Sequence, residues 1–97
     1  MASPTSSPAT VRFYRRSACE LCDEGREALQ AVLEERAAAG RTPCRVQEID
    51  IEVDTETLRR HRATIPVLAL DGAELPLATS ARRIRRFLAD GLDRGLA

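Results

Sequence analysis

Two cysteines separated by two residues, Cys19-Glu20-Leu21-Cys22, constrain this chain more than any other feature, because of where they fall. Thr10-Val-Arg-Phe-Tyr14 alternates in residue type and is rich in β-formers, which predicts a first strand. Arg15-Arg-Ser-Ala18 is a short loop, and from Glu20 to Ala39 a helix is expected. Leu21, Gly25, Ala28, Leu29, Val32 and Leu33 recur there at three- and four-residue steps, so they define its apolar face. Glu20, Asp23, Glu24 and Glu27 load its first turns with acid, which suits the positive end of a helix dipole. Gly40 is a natural stop. The cysteine pair thus sits where a strand hands over to a helix.

The rest of the chain continues the alternation of strands and helices. Arg45 to Ile51 reads as a second strand, and Asp54 or Thr55 can cap a short helix through Arg62. Val67-Leu-Ala-Leu70 is a buried-type third strand, opened by Pro66. Asp71-Gly72 is a strong two-residue hairpin turn, and Ala73-Glu-Leu-Pro-Leu77 is the returning strand, with Pro76 pointing to a sheet edge. Thr79 or Ser80 caps a last helix, Ala81 to Asp90, whose apolar stripe is Ile84, Phe87, Leu88 and Leu92. The order is β-α-β-α-β-β-α: an α/β domain with a mixed four-stranded sheet and helices packed on it. The first two strands should be parallel, and the hairpin makes the last pair antiparallel. Residues 1–9 read as a disordered N-terminal tail and 93–97 as a C-terminal tail around one domain at 10–92.

Composition excludes several classes. At 97 residues the chain is one domain, able to bury roughly 60–70% of its unfolded surface. Fifteen basic and fifteen acidic residues cancel, which argues against nucleic-acid binding through bulk charge. No segment approaches the ~18 apolar residues of a membrane span. The N-terminus lacks the basic flank and apolar run of a secretory signal, so the expected compartment is the cytoplasm. The expected state is a monomer without membrane or nucleic-acid partners.

Three cysteines, Cys19, Cys22 and Cys44, do not make a disulfide-stapled mini-domain. A bond between Cys19 and Cys22 closes a tiny loop and adds little stability in the loop-entropy picture. The pair therefore reads as a redox motif or half a metal site. Cys19, at the helix start, faces unpaired N–H groups and the helix dipole, which favour a thiolate. It is the expected nucleophile, and Cys22, one turn later beside the core face, the expected resolving thiol. Pro66 fits a cis peptide, and because it donates no ladder bond the backbone just before it can face a ligand.

Tyr14-Arg-Arg-Ser-Ala-Cys-Glu-Leu-Cys22 after a strand, then Thr64-Ile-Pro-Val-Leu68, then Asp71-Gly72, resembles the glutaredoxin-type members of the thioredoxin superfamily, and more narrowly the short bacterial glutaredoxin-like proteins with a C-x-L-C motif. The resemblance covers residues 10–90. It implies a thioredoxin-like fold with Pro66 cis and facing the Cys19–Cys22 pair. It implies a thiol–disulfide oxidoreductase with Cys19 as nucleophile and Cys22 as resolver. Thr64 and Ile65 would offer backbone contacts, and Arg15 or Arg16 would assist the thiolate and a glutathione carboxylate. Partners would be a disulfide-containing protein or glutathione, and a reductase or thiol donor. No bound cofactor is required, and glutathione would serve as reductant or substrate. The sequence departs from the glutaredoxin pattern at Glu20-Leu21, where Pro and an aromatic residue are usual, and at Ala78-Thr79-Ser80, where Gly-Gly and Asp are usual.

Two other readings remain open: a non-enzymatic binding module on the same scaffold, and a Cys-ligated metal or iron–sulfur carrier. A tetrahedral metal site would need Cys44 and His61 to join the pair, and both lie on other elements. No metal ligand is therefore assigned. Cys44 is expected as a small, partly buried residue, and His61 as a helix-end residue whose charge suits the dipole. Arg82, Arg83, Arg85 and Arg86 are expected to form a solvated face, and Gly25 to permit close packing near the cysteines. Tyr14 either shields the thiols or packs.

Overall fold

Strand β1 spans Ala9–Arg15, one residue longer at each end than the alternation predicts. It is central in a computed structural model that describes residues 8–93. Helix α1 (Glu20–Ala38) follows, then β2 (Cys44–Asp50), a 3-10 turn at Ile51–Val53, α2 (Thr55–His61), β3 (Val67–Leu70), β4 (Ala73–Leu75) and α3 (Ala81–Leu92). The sheet order is β2-β1-β3-β4. β1 and β2 are parallel, as a helical crossover requires, and β3 runs antiparallel to both β1 and β4. This is the mixed four-stranded sheet expected from the element order, in the thioredoxin-like arrangement that the resemblance implies.

The inner strands set the two faces. Val11 and Phe13 of β1 are fully buried and pack with Leu29 and Val32 of α1, Leu68 and Leu70 of β3, and Ile84 and Leu88 of α3. Thr10, Arg12 and Tyr14 point the other way by the two-residue period of a strand. On that second face Tyr14 stacks on His61 at the end of α2, ring centroids 4.2 Å apart. His61 is therefore buried beneath Tyr14 rather than solvated at the helix end.

Local chemistry explains the boundaries. Asp71 and Gly72 both take positive φ, 50° and 85°, as a two-residue hairpin of this hand demands. β4 ends at Leu75, short of the expected Leu77, because Pro76 has no N–H to extend the ladder. β2 stops at Asp50, whose carboxylate accepts from the Glu52 N–H at 2.9 Å and starts the 3-10 turn that buries Ile51. Asp54 caps α2 through the Thr57 N–H at 2.8 Å, and Ser80 caps α3 through the Arg83 N–H at 3.2 Å. α3 runs to Leu92 and is capped by Asp93, which the sequence places in a tail.

Asp93 is held there from across the molecule. Arg36, buried at the end of α1, donates to both carboxylate oxygens at 2.7 and 3.2 Å, and to the Thr42 carbonyl at 2.9 Å. The Arg36 hydrogen bond, against some desolvation and with the charges of Arg36 and Arg41 assisting, holds the Asp93 carboxyl below its ordinary value of 3.8. A depressed carboxyl stabilises the fold above its unfolded pKa, and that contribution is lost as pH falls through the folded value. The melting-temperature deficit of Asp93→Asn should therefore be full at pH 7 and close as pH is lowered below 3.8. A deficit independent of pH would contradict the pairing.

Gly25 faces the opposite end of the sheet. A Cβ on it would lie 2.5 Å from the Ala78 carbonyl oxygen and 2.8 Å from the Pro66 ring. Both neighbours are held by backbone bonding, since the Ala78 N–H donates to the Pro66 carbonyl at 2.7 Å. Gly25→Ala should cost about 1–3 kcal/mol in urea unfolding, the range for overpacking a filled contact.

Candidate functional site: a thiol pair at the start of the first helix

The apolar periodicity of α1 is real: Gly25, Leu29 and Val32 are buried and Ala28 and Leu33 pack against the core, and only Leu21 departs from the expected face. Cys22, Gly25, Leu29, Val32 and Arg36 face the sheet, whereas Leu21 is exposed. Successive helical residues are about 100° apart, so turning Cys22 inward turns Leu21 outward. Cys22 is fully buried and Cys19 partly exposed.

Cys19 is the N-cap of α1. Its backbone is extended (φ −122°, ψ 108°), and its Sγ accepts from the Cys22 N–H at 3.1 Å, where a Ser or Asp oxygen commonly sits. The Asp23 N–H donates to the Cys19 carbonyl at 3.0 Å and starts the helical ladder. Ala18, just before, has φ 52°, a left-handed conformation that costs a Cβ-bearing residue roughly 1–2 kcal/mol. The Cys19 and Cys22 sulfurs stand at disulfide distance, with Cα atoms 5.2 Å apart. An unsatisfied helix N-terminus surrounds the outer sulfur, which favours a thiolate there once the pair is reduced.

Pro66 stands on the next element. The Ile65–Pro66 peptide is cis, and the Pro66 ring borders Gly25, one turn past the thiols on the same helix face. Of the two residues expected to offer main-chain contacts, Thr64 has both groups in use. Its N–H donates to the His61 carbonyl at 2.9 Å, and its carbonyl accepts from the Leu77 N–H at 2.8 Å. The Ile65 N–H and C=O make no hydrogen bond among the described residues. The extended segment thus leaves one residue, not two, with a free backbone.

The arginines are equally changed by their surroundings. Arg15 donates to the Asp23 carboxylate at 3.1 Å, and Arg16 to Glu52 at 3.0 Å. Arg26 pairs with Glu48 at 3.1 Å across the same cleft, a depression of about 450 Å³ that also holds Asp50. Each guanidinium expected to serve a thiolate or a ligand carboxylate already faces an internal carboxylate. Sequence reasoning missed this, because Glu52 and Asp23 are brought to these arginines by the β2 turn and the α1 start rather than by spacing.

Other candidates fall away from the pair. Cys44 begins β2 opposite Ala9, about 20 Å of strand from the end that carries Cys19. Burial pushes its thiol pKa up, with Arg36 pulling it back. His61 is committed to Tyr14, on whose ring it stacks. Among the described residues no group of three His, Cys, Asp or Glu is placed to hold a metal ion. On α3, Arg85 pairs with Glu35 at 2.8 Å, and Arg83 donates to the carbonyls of Pro76 and Leu77. No described helix is long and apolar enough to cross a membrane.

A comparison with curated proteins finds no match. Among solved structures, the chain is similar to the X-ray structure of Northeast Structural Genomics target protein XcR50 from X. campestris. The TM-score is 0.67 and the identity 28%, over 82% of this chain and 96% of that one. Residues 10–92 match the glutaredoxin-like domain (DUF836), from β1 through the end of α3. A sulfur-capped helix following a strand, a buried second thiol and an Ile-Pro segment alongside accord with that match: the chain belongs to the glutaredoxin-like domain family.

Proposed function

We propose that the protein is a thiol–disulfide oxidoreductase that reduces protein or glutathione disulfides with the Cys19–Cys22 pair. The observation that carries this reading is the asymmetry of the two sulfurs. Cys19 is partly exposed and receives an N–H from Cys22, while Cys22 is buried directly behind it. An incoming disulfide can reach Cys19 and not Cys22.

The Cys19 thiolate attacks one sulfur of the substrate disulfide. That S–S bond breaks, the departing sulfur leaves as a thiolate and takes a proton, and a Cys19–substrate disulfide remains. The Cys22 thiol loses its proton and attacks the Cys19 sulfur. The second substrate thiol departs and the Cys19–Cys22 disulfide forms. Two electrons pass from the protein to the substrate, and no bound cofactor takes part. Glutathione or a reductase restores the dithiol. The free backbone of Ile65 is the group that pairs with an extended substrate; Thr64 supports it through its bonds to His61 and Leu77. Arg15 and Arg16 act as halves of neutral pairs, holding Asp23 and the 3-10 turn, rather than as free cations. A monomer working in a reducing compartment, the cytoplasm, fits this scheme, and the unpaired Cys44 is compatible with it.

The decisive experiment follows disulfide reduction by pre-reduced protein, with trapping by alkylation and intact mass. Cys19→Ser should abolish reduction. Cys22→Ser should stall as a covalent Cys19–substrate adduct. Undiminished reduction by Cys19→Ser would remove the reading. The dithiol should titrate as one two-electron couple between about −270 and −120 mV, the span of known dithiol oxidoreductases.

A further inference from the structure

Near Cys19 exposed leucines stand beside arginines that already carry internal carboxylates, where a charged tripeptide would need free cations. Among the described residues four large hydrophobic side chains are exposed: Leu21, Val46, Val53 and Leu77. Three of them lie at the end of the sheet that carries the thiols. Leu21 stands between the two cysteines and is 49% exposed. Leu77 is 46% exposed and is anchored beside the Ile65–Pro66 segment by its N–H to the Thr64 carbonyl. Val53 closes the turn after β2, next to the Arg16–Glu52 pair.

Leu77 is held out at a cost. Its φ is 51°, left-handed for a residue with a branched side chain, and a Gly or Asn would sit there more easily. Leu21 and Gly25 are one turn apart on the same side of α1, and Gly25 abuts Pro66 and the Ala78 carbonyl. Leu21 and Leu77 therefore border the same approach to Cys19, one from the helix and one from the loop before α3. Of the cations at this end, Arg15, Arg16 and Arg26 each carry an internal carboxylate, and Arg83 donates to the Pro76 and Leu77 carbonyls.

We infer that Leu21 and Leu77 are specificity-determining residues, and that they select a polypeptide disulfide with apolar residues beside the attacked half-cystine over glutathione disulfide. The inference rests on the oxidoreductase reading above and names its substrate class. The occupant must bring a sulfur to Cys19, so the patch continues the reactive site. An extended peptide satisfies the free Ile65 backbone while its flanking side chains cover the two leucines. The chemical step is the exchange already given, with both electrons leaving on the peptide dithiol.

The test compares single-turnover rates of pre-reduced protein with three oxidants: a synthetic disulfide-bonded peptide with Leu on each side of its cysteines, the same peptide with Ser there, and glutathione disulfide. The Leu peptide should react about tenfold faster than the Ser peptide, the scale on which apolar contacts discriminate, and faster than glutathione disulfide. In Leu21→Ser/Leu77→Asn the Leu-to-Ser ratio should fall toward one. Asn is chosen because it tolerates the left-handed backbone, and the ratio cancels any general change in thiol reactivity or folded fraction. Equal rates for the two peptides, a ratio unchanged in the variant, or glutathione disulfide as the fastest oxidant would each overturn the inference while leaving the oxidoreductase reading in place. No reaction with any of the three would remove both.

Discussion

The contact between Gly25 and the Pro66–Ala78 pair is the constraint from which the site follows. No Cβ separates α1 from β3's leading proline and from the loop that precedes α3. The helix can therefore sit close to the sheet end, with Cys22 turned fully into the core and Leu29 and Val32 continuing along the same stripe. The backbone bond between Ala78 and Pro66 fastens the two surfaces that α1 leans on. Cys19 then has one remaining place, at the rim, as the cap of the helix. Burial of one sulfur and exposure of the other are two consequences of one close approach.

Electrostatics at this end of the molecule work by cancellation. Arginines follow β1, where the fold brings them near the thiols, yet each meets a carboxylate delivered by another element. Pairs this exposed contribute little stability, about 0–1 kcal/mol. Their effect is to neutralise the field, so the favourable terms at Cys19 are short-ranged: the Cys22 N–H and the open end of the helix. At the far end Arg36 and Asp93 play a different part. They are shielded from solvent, and together they join the C-termini of α1 and α3 and the start of the α1–β2 connection.

How much of this is legible without coordinates varies with the range of the cause. The strand–cysteine–helix handover, the Asp71-Gly72 hairpin and the caps at Asp54 and Ser80 rest on neighbours within a few residues, and these local rules suffice for them. Leu21 shows where they fail. A leucine at a three- and four-residue step belongs by pattern to the core, but the buried stripe of α1 begins with a cysteine and a glycine, which carry little hydrophobic signal. His61 fails for a related reason: a charged-looking run conceals a ring that has Tyr14 beneath it. Thr64 has the right position for a ligand contact, and only the fold reveals that His61 and Leu77 already occupy its backbone.

By itself the sequence determined the order of strands and helices, the place of the two thiols at a strand–helix junction and the proline that opens β3. Each depends on short-range propensity, capping or turn geometry. Tertiary structure alone decided which backbone groups stay open beside the thiols, and that Arg15 and Arg16 are not free. Those outcomes depend on which distant groups the sheet order β2-β1-β3-β4 brings into contact, and spacing along a chain does not encode that proximity.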